Sequence, residues 1–139
     1  MKTVFADAFY WCSLANPADE WHQAVKQAGR QHQISLILTT DEVLDEFLTF
    51  YSAAGAYWRN KAAELVRSML QNPSVKTVPQ TRGSFLRGLQ LYEARADKEY
   101  SLTDCISMET MREHKLTEVL TNDHHFAQEG LVILFPGKP

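Results

Sequence analysis

Four acidic residues of this 139-residue chain lie where a predicted strand ends or a helix begins, namely Asp7, Glu46, Asp104 and Asp123. Carboxylate oxygens are the hard ligands that Mg²⁺ and Mn²⁺ prefer in proteins. Because the carboxyl ends of parallel strands meet at one edge of a sheet, where open α/β sheets bind ligands, we expect these side chains to share a pocket. The pattern predicts a divalent-metal site of the kind that supports phosphodiester hydrolysis.

Three of these acids also have a purely structural interpretation as helix caps. Asp7 directly precedes a helical pattern, and Asp123 follows an apolar strand at a position suited to a turn or an N-cap. Ser101-x-x-Asp104 has the form of a capping box. Independent caps need not fall repeatedly at the ends of parallel strands, however, so the joint pattern favours a shared site.

Glu46 lies on a helix with several other acids, and a solvated acidic face is the alternative interpretation. Its neighbours Val43 and Phe47 have the spacing of core residues, which predicts that Glu46 sits at the border of the buried stripe. Glu42, four residues earlier on the same face, is the reserve candidate.

The remaining chemistry-bearing residues are assigned to the core or the surface. His124 and His125 are adjacent and have no second cluster at ligand spacing, so we predict surface histidines rather than a zinc site. We assign the three tryptophans to the core rather than to base stacking. We expect most basic residues of two predicted helices to lie on solvated faces, although either set could bind phosphates; these are Arg59, Lys61, Arg67, Arg82, Arg87 and Arg95.

Composition indicates one globular domain spanning residues 1–139. Hydrophobic residues make up 45% of the chain, and the formal charge of -3 argues against bulk electrostatic coating of nucleic acid. The two cysteines, Cys12 and Cys105, have no spacing typical of a disulfide scaffold or a zinc site, so we expect a cytoplasmic protein. No apolar run approaches transmembrane length, and no membrane association is expected.

Apolar periodicity predicts strands alternating with helices. The predicted strands are Val4–Ala6, Ile34–Leu38, Val75–Val78, Val119–Thr121 and Val132–Leu134. Two of the predicted helices begin at Ala8 and at Asp41. The other four span Glu20–Gln31, Tyr57–Leu70, Arg82–Ala96 and Ser101–His114. This alternation, without hairpin loops, implies a central, mostly parallel sheet of about five strands with helices on both faces.

The order and surroundings of the acids give the whole chain a resemblance to PIN-domain ribonucleases. The stretches that carry it are Phe5–Ala8, Thr39–Glu46, Ser101–Cys105 and Leu120–Phe126. The last is similar to the family's threonine, acid and phenylalanine stretch, and Ser101 with Asp104 is similar to its serine and acid pair. Size and motif order resemble the VapC-type toxins of toxin–antitoxin pairs.

The resemblance implies a three-layer α/β/α fold and endonucleolytic cleavage of RNA with Mg²⁺ or Mn²⁺. It also implies a homodimer neutralised by a small antitoxin protein. Carried over by residue, Asp7, Glu46, Asp104 and Asp123 match the family's acidic quartet, and Ser101 or Thr103 matches its supporting hydroxyl group.

Three other functions remain open at this point. The family also includes RNA-processing nucleases without an antitoxin, and a catalytically inactive module that binds metal or protein would show the same caps. Phosphoryl transfer through an aspartyl intermediate is disfavoured, because Phe9 occupies the position two residues after Asp7 and no GxxxxGK[ST] phosphate loop occurs.

Overall fold

The computed structural model describes residues 1–139 as a five-stranded sheet and seven helices. The strands are β1 Lys2–Ala6, β2 Ile34–Thr40, β3 Val75–Val78, β4 Glu118–Leu120 and β5 Val132–Ile133. The helices are α1 Ala8–Ala15, α2 His22–Gln31, α3 Asp41–Phe50, α4 Ala56–Gln71, α5 Arg82–Ala94, α6 Leu102–Glu113 and α7 His124–Gln128. The predicted α/β class and the five strands are confirmed, and the sheet is parallel throughout rather than mostly parallel.

The strand order β3-β2-β1-β4-β5 reverses direction between β1 and β4. The chain builds outward from β1 to β3 on one side, then returns past β1 and builds β4 and β5 on the other. Because parallel crossovers are right-handed, this reversal places helices on both faces and gives three layers. It also opens a crevice beyond the carboxyl ends of β1 and β4, the standard ligand position in open α/β sheets.

The two strands beside this crevice form the centre of the core. Phe5 pairs with Val119 and Ala6 with Leu120, and all four residues are fully buried. Burying a large apolar side chain contributes roughly 1.5–3 kcal/mol to stability. The strand ends that carry the acids are therefore anchored by the most buried part of the molecule.

The tryptophans follow the prediction of a core role. Trp11 and Trp21 are buried. Trp58 is half-buried and stacks on Tyr51 with ring centroids 5.1 Å apart, so it packs at the edge of the core. None of the three indole rings is left as an exposed stacking platform for bases.

Two helix boundaries differ by two residues from the sequence prediction, and one whole helix was not predicted. Helix α2 begins at His22 rather than Glu20, because the Asp19 carboxylate accepts a hydrogen bond from the Trp21 amide and holds a turn there. Helix α5 ends at Ala94, two residues before the predicted end. Helix α7, of five residues, was not predicted because it is too short to show a helical apolar period.

The basic residues on α4 and α5 lie at or near the surface. Arg59, Arg67, Arg82 and Arg87 are exposed, whereas Lys61 and Arg95 are half-buried. Cys12 and Cys105 are both free thiols. No helix has both the length and the apolar character that crossing a bilayer requires.

The close approach of α5 and α6 at Gly88 generates a stability prediction. A Cβ atom on Gly88 would lie 2.3 Å from the Ile106 Cγ1 atom and 3.3 Å from the Ile106 backbone. We expect Gly88→Ala to lower the free energy of unfolding by about 1–3 kcal/mol through overpacking, despite the higher helix propensity of alanine. Urea denaturation measures this change.

Gly29 on α2 provides the matched control, because nothing lies within 4 Å of a Cβ atom there. Gly29→Ala should raise stability by up to about 1 kcal/mol. If Gly88→Ala were as stable as the wild type, the two helices would not be packed as closely as described.

Candidate active site

Asp7 lies at the carboxyl end of β1, at the point where the strand order reverses. Its carboxylate is buried and accepts a hydrogen bond at Oδ2 from the Thr121 hydroxyl at 3.0 Å. Its Oδ1 atom is also buried but has no hydrogen-bond partner. Asp7 occupies the N-cap position of α1 without making a side-chain cap bond.

Asp123 follows β4, directly precedes α7 and lies beside the Thr121 hydroxyl group. The Asp123 amide donates to Thr121 Oγ1 at 3.1 Å, so one hydroxyl group bridges the ends of the two central strands. The Asp123 Oδ1 atom accepts from the amide of His125 at 2.9 Å and caps α7. The predicted N-cap is confirmed, and it holds the carboxylate at the crevice.

Asp104 comes from α6 and lies in its first turn. The Ser101 hydroxyl accepts from the Asp104 amide at 3.0 Å, while Asp104 Oδ2 accepts from the Ser101 amide at 3.1 Å. This reciprocal pair confirms the predicted capping box. Asp104 is nonetheless buried, and burial raises its pKa, with the negative charge of Asp123 contributing in the same direction.

Glu46 reaches the site from α3, which begins directly after β2 with Thr40 as its N-cap. The pKa of Glu46 is raised to about 7, by partial desolvation and by the charges of Asp7, Asp104 and Asp123. The prediction that Glu46 sits at the border of the buried stripe is wrong: the residue is exposed in the middle of α3, because only Val43, Leu44 and Phe47 of this helix are buried.

Glu42 does not join this cluster. Burial raises its pKa, and the charges that add to this effect are those of its helix neighbours Asp41 and Asp45, not those of the crevice. Its Oε2 atom is buried without a hydrogen-bond partner. Of the two candidates on α3, the structure therefore places Glu46, and not Glu42, with the other acids.

His125 is the residue that the sequence interpretation misplaced. Its Nδ1 atom lies 3.3 Å from Asp123 Oδ1 and 3.7 Å from Asp104 Oδ2, and its side chain is only 20% exposed. His124, by contrast, is 73% exposed, as predicted. The short helix α7 decides this difference, because the Asp123 cap turns residue 125 back toward the crevice. An acid followed two residues later by histidine was the only sequence signal.

The donor set fits a divalent cation. Burial raises the pKa of Asp7 to about 6, and the carboxylates of Asp104 and Asp123 add to the shift, while the Ala8 amide and the Thr121 hydroxyl oppose it. Several carboxylates that repel one another, together with a buried oxygen atom without a partner, are the arrangement that a bound cation stabilises. Asp7, Glu46, Asp104 and Asp123 are the residues that would surround it.

Residues 4–130 match the PIN-domain family, which covers most of the chain. The chain belongs to the PIN-domain family. No curated protein matches it significantly over its sequence. The predicted resemblance at the level of the family is therefore confirmed.

Several solved structures, the following two among them, share the fold of this PIN domain. One is Mycobacterium tuberculosis VapC20, a toxin that cleaves the sarcin–ricin loop, with a TM-score of 0.81, 22% identity and coverage of 98% of this chain and 99% of that one. The other is FitAcB from Neisseria gonorrhoeae, with a TM-score of 0.68, 16% identity and coverage of 96% and 97%. At these identities the likeness establishes the three-layer fold.

The buried Asp7 carboxylate generates a prediction about pH and stability in EDTA. Because its folded-state pKa of about 6 exceeds the ordinary 3.8, the folded protein binds the proton more tightly than the unfolded chain. Ionisation of Asp7 therefore costs stability as the pH rises from about 4 to 6, by at most about 3 kcal/mol. We expect Asp7→Asn to be about 1–3 kcal/mol more stable than the wild type at pH 7 and equally stable near pH 3.5.

Chemical denaturation across this pH range measures the difference. Asp45→Asn removes an exposed acid from the same protein and should leave the slope of stability against pH nearly unchanged. Parallel slopes for the wild type and Asp7→Asn would show that Asp7 is not held in a charge-disfavouring site.

Proposed function

We propose that this PIN domain is a metal-dependent endoribonuclease that acts as the toxin of a toxin–antitoxin pair. The observation that carries the proposal is that Asp7, Asp104 and Asp123 lie together at the crevice between β1 and β4, where Thr121 connects the first to the third and His125 lies between the other two. Their negative charges also raise the pKa of Glu46 on α3. We assign all four both as metal ligands and as catalytic residues, with Mg²⁺ or Mn²⁺ as the ion. One domain, residues 1–139, would contain the whole site.

The four acids would have different roles in the site because their surroundings differ. Asp7 is held by Thr121, Asp104 by its capping box and Asp123 by the first turn of α7, so these three carboxylates are pre-positioned. Fixed ligands place a scissile phosphate without reorganisation during the reaction. A divalent ion bound by them would lower the pKa of a coordinated water and offset charge on the phosphate.

Glu46 is suited to a different role from the three fixed acids. It is exposed to water, whereas Asp7 and Asp104 are buried. A bound cation would lower its pKa from the raised value of about 7 that desolvation and the neighbouring carboxylates give it, so Glu46 would be ionised as a ligand. We therefore propose that Glu46 completes the ligand set of the ion at the mouth of the site.

The toxin assignment draws on the fold and on the surface beside Glu46. VapC20, which shares the fold over nearly the whole chain, is a toxin that cleaves the sarcin–ricin loop. An open groove of about 460 Å³ lies between α1 and α3, with Phe9, Glu46 and Phe50 among its walls, and Phe50 is 68% exposed. An antitoxin segment with apolar residues and one arginine would match this groove and the acids next to it. We also expect a homodimer, by analogy with the family.

Cleavage of total cellular RNA tests the nuclease assignment. We expect the wild type to cut with Mg²⁺ or Mn²⁺ and not in EDTA, and Asp104→Asn to lose about 10²–10³-fold in rate. The asparagine can still accept the Ser101 amide bond, so the cap and the fold should survive. Asp45→Asn, the same chemical change at an exposed position of α3, should cut at the wild-type rate.

Equal cleavage by Asp104→Asn and the wild type would place the active site elsewhere. If folded wild-type protein cut no RNA with either metal, the inactive binding-module interpretation would replace the nuclease.

Growth after induced expression in bacterial cells tests the toxin assignment separately. We expect wild-type expression to arrest growth, Asp104→Asn expression to leave growth unchanged, and co-expression of a small antitoxin encoded beside the gene to restore growth. Cleavage in vitro combined with normal growth would favour an RNA-processing nuclease without an antitoxin.

A further inference from the structure

His125 is placed between two of the proposed metal ligands. Its Nδ1 atom is 3.3 Å from Asp123 Oδ1 and 3.7 Å from Asp104 Oδ2. One ligand atom each from Asp123, His124 and His125 can be chosen so that all three lie within 4.8 Å of one another. A nitrogen donor is therefore part of a cluster that the sequence interpretation treated as all oxygen.

The Nδ1 atom of His125 is buried and makes no hydrogen bond, although a carboxylate oxygen is 3.3 Å away. Two ligands bound to one ion at roughly 2.0–2.2 Å and at right angles are about 3 Å apart. The separation of the two atoms is close to that value. A cation shared with Asp123 would satisfy the orphaned Nδ1 atom of His125.

Surrounding residues hold the imidazole in this orientation. The Tyr100 ring packs on His125 with centroids 5.6 Å apart, and the Tyr100 hydroxyl donates to Glu129 Oε1 at 3.1 Å. Arg95 donates two hydrogen bonds to the same Glu129 carboxylate, at 2.9 and 2.8 Å. These contacts fix the position of the ring beside Asp104 and Asp123. His124 lies with its ring centroid 4.5 Å from that of His125 and its Nδ1 atom 3.9 Å from Asp123 Oδ1, and it is mostly in water.

Imidazole distinguishes between the two candidate ions. Mg²⁺ selects oxygen ligands and is generally bound by carboxylates and water, whereas transition metals accept imidazole nitrogen readily. We propose that His125 is a nitrogen ligand of the catalytic ion and that the site therefore prefers Mn²⁺ over Mg²⁺. This inference rests on the proposed function, because it concerns the ion of the same site.

Electron spin echo spectroscopy of the Mn²⁺-loaded protein tests the inference without relying on activity. We expect nitrogen modulation in wild-type protein, with the isotope change that ¹⁵N-histidine labelling produces. His125→Phe keeps a ring to pack on Tyr100 but removes the donor, so the modulation should disappear. His124→Phe is the matched control and should retain it.

Calorimetric titration of metal-free protein gives the second readout. In His125→Phe the Kd for Mn²⁺ should rise about 10- to 100-fold, while the Kd for Mg²⁺ changes less than about threefold. Nitrogen modulation that is absent from the wild type, or that persists in His125→Phe, would overturn the inference.

The two proposals fail in distinguishable ways. If Mn²⁺ binds without nitrogen modulation and Asp104→Asn still abolishes RNA cleavage, the nuclease assignment stands and the role of His125 falls. If neither ion binds the folded wild type, both fall together.

Discussion

The hydrogen bond from the Thr121 hydroxyl to the Asp7 carboxylate joins the ends of β1 and β4, and the acidic site depends on it. The same hydroxyl accepts from the Asp123 amide, so one side chain fixes two acids that are 116 residues apart in sequence. Both strand ends are fully buried, which leaves little freedom for this junction to open. The sheet topology creates the crevice, and the threonine sets the distance between its walls.

Gathering these carboxylates has an energetic cost that the metal-free protein carries. Burial and mutual repulsion raise the pKa of Asp7 and of Asp104. The negative charges of these acids also raise the pKa of Glu46 on α3. A cation that binds the folded protein alone would offset this cost by linkage. The carboxylates proposed for function therefore lower the stability of the metal-free protein at the carboxyl edge of the sheet, while the core beneath it is well packed.

Helix capping and the proposed chemistry use the same side chains here. Asp104 completes a capping box with Ser101, and Asp123 caps α7, yet both point into the crevice. Each cap bond occupies one carboxylate oxygen or one backbone donor and fixes the rotamer of the acid. The structural and functional interpretations of these residues are thus compatible, because the cap supplies the rigidity that a metal ligand needs.

The sequence by itself determined the five strands, six of the seven helices and the positions of Asp7, Asp104 and Asp123 at element ends, because apolar periodicity and capping residues are local signals. Only the tertiary structure decided which acid of α3 faces the crevice, since Glu42 and Glu46 share a helix face and the packing of α3 separates them. It also decided the place of His125, because a five-residue helix has no detectable period and its direction depends on the Asp123 cap. Local sequence patterns determine the helices and strands. Which side chains come into contact across the sheet depends on strand order and long-range packing.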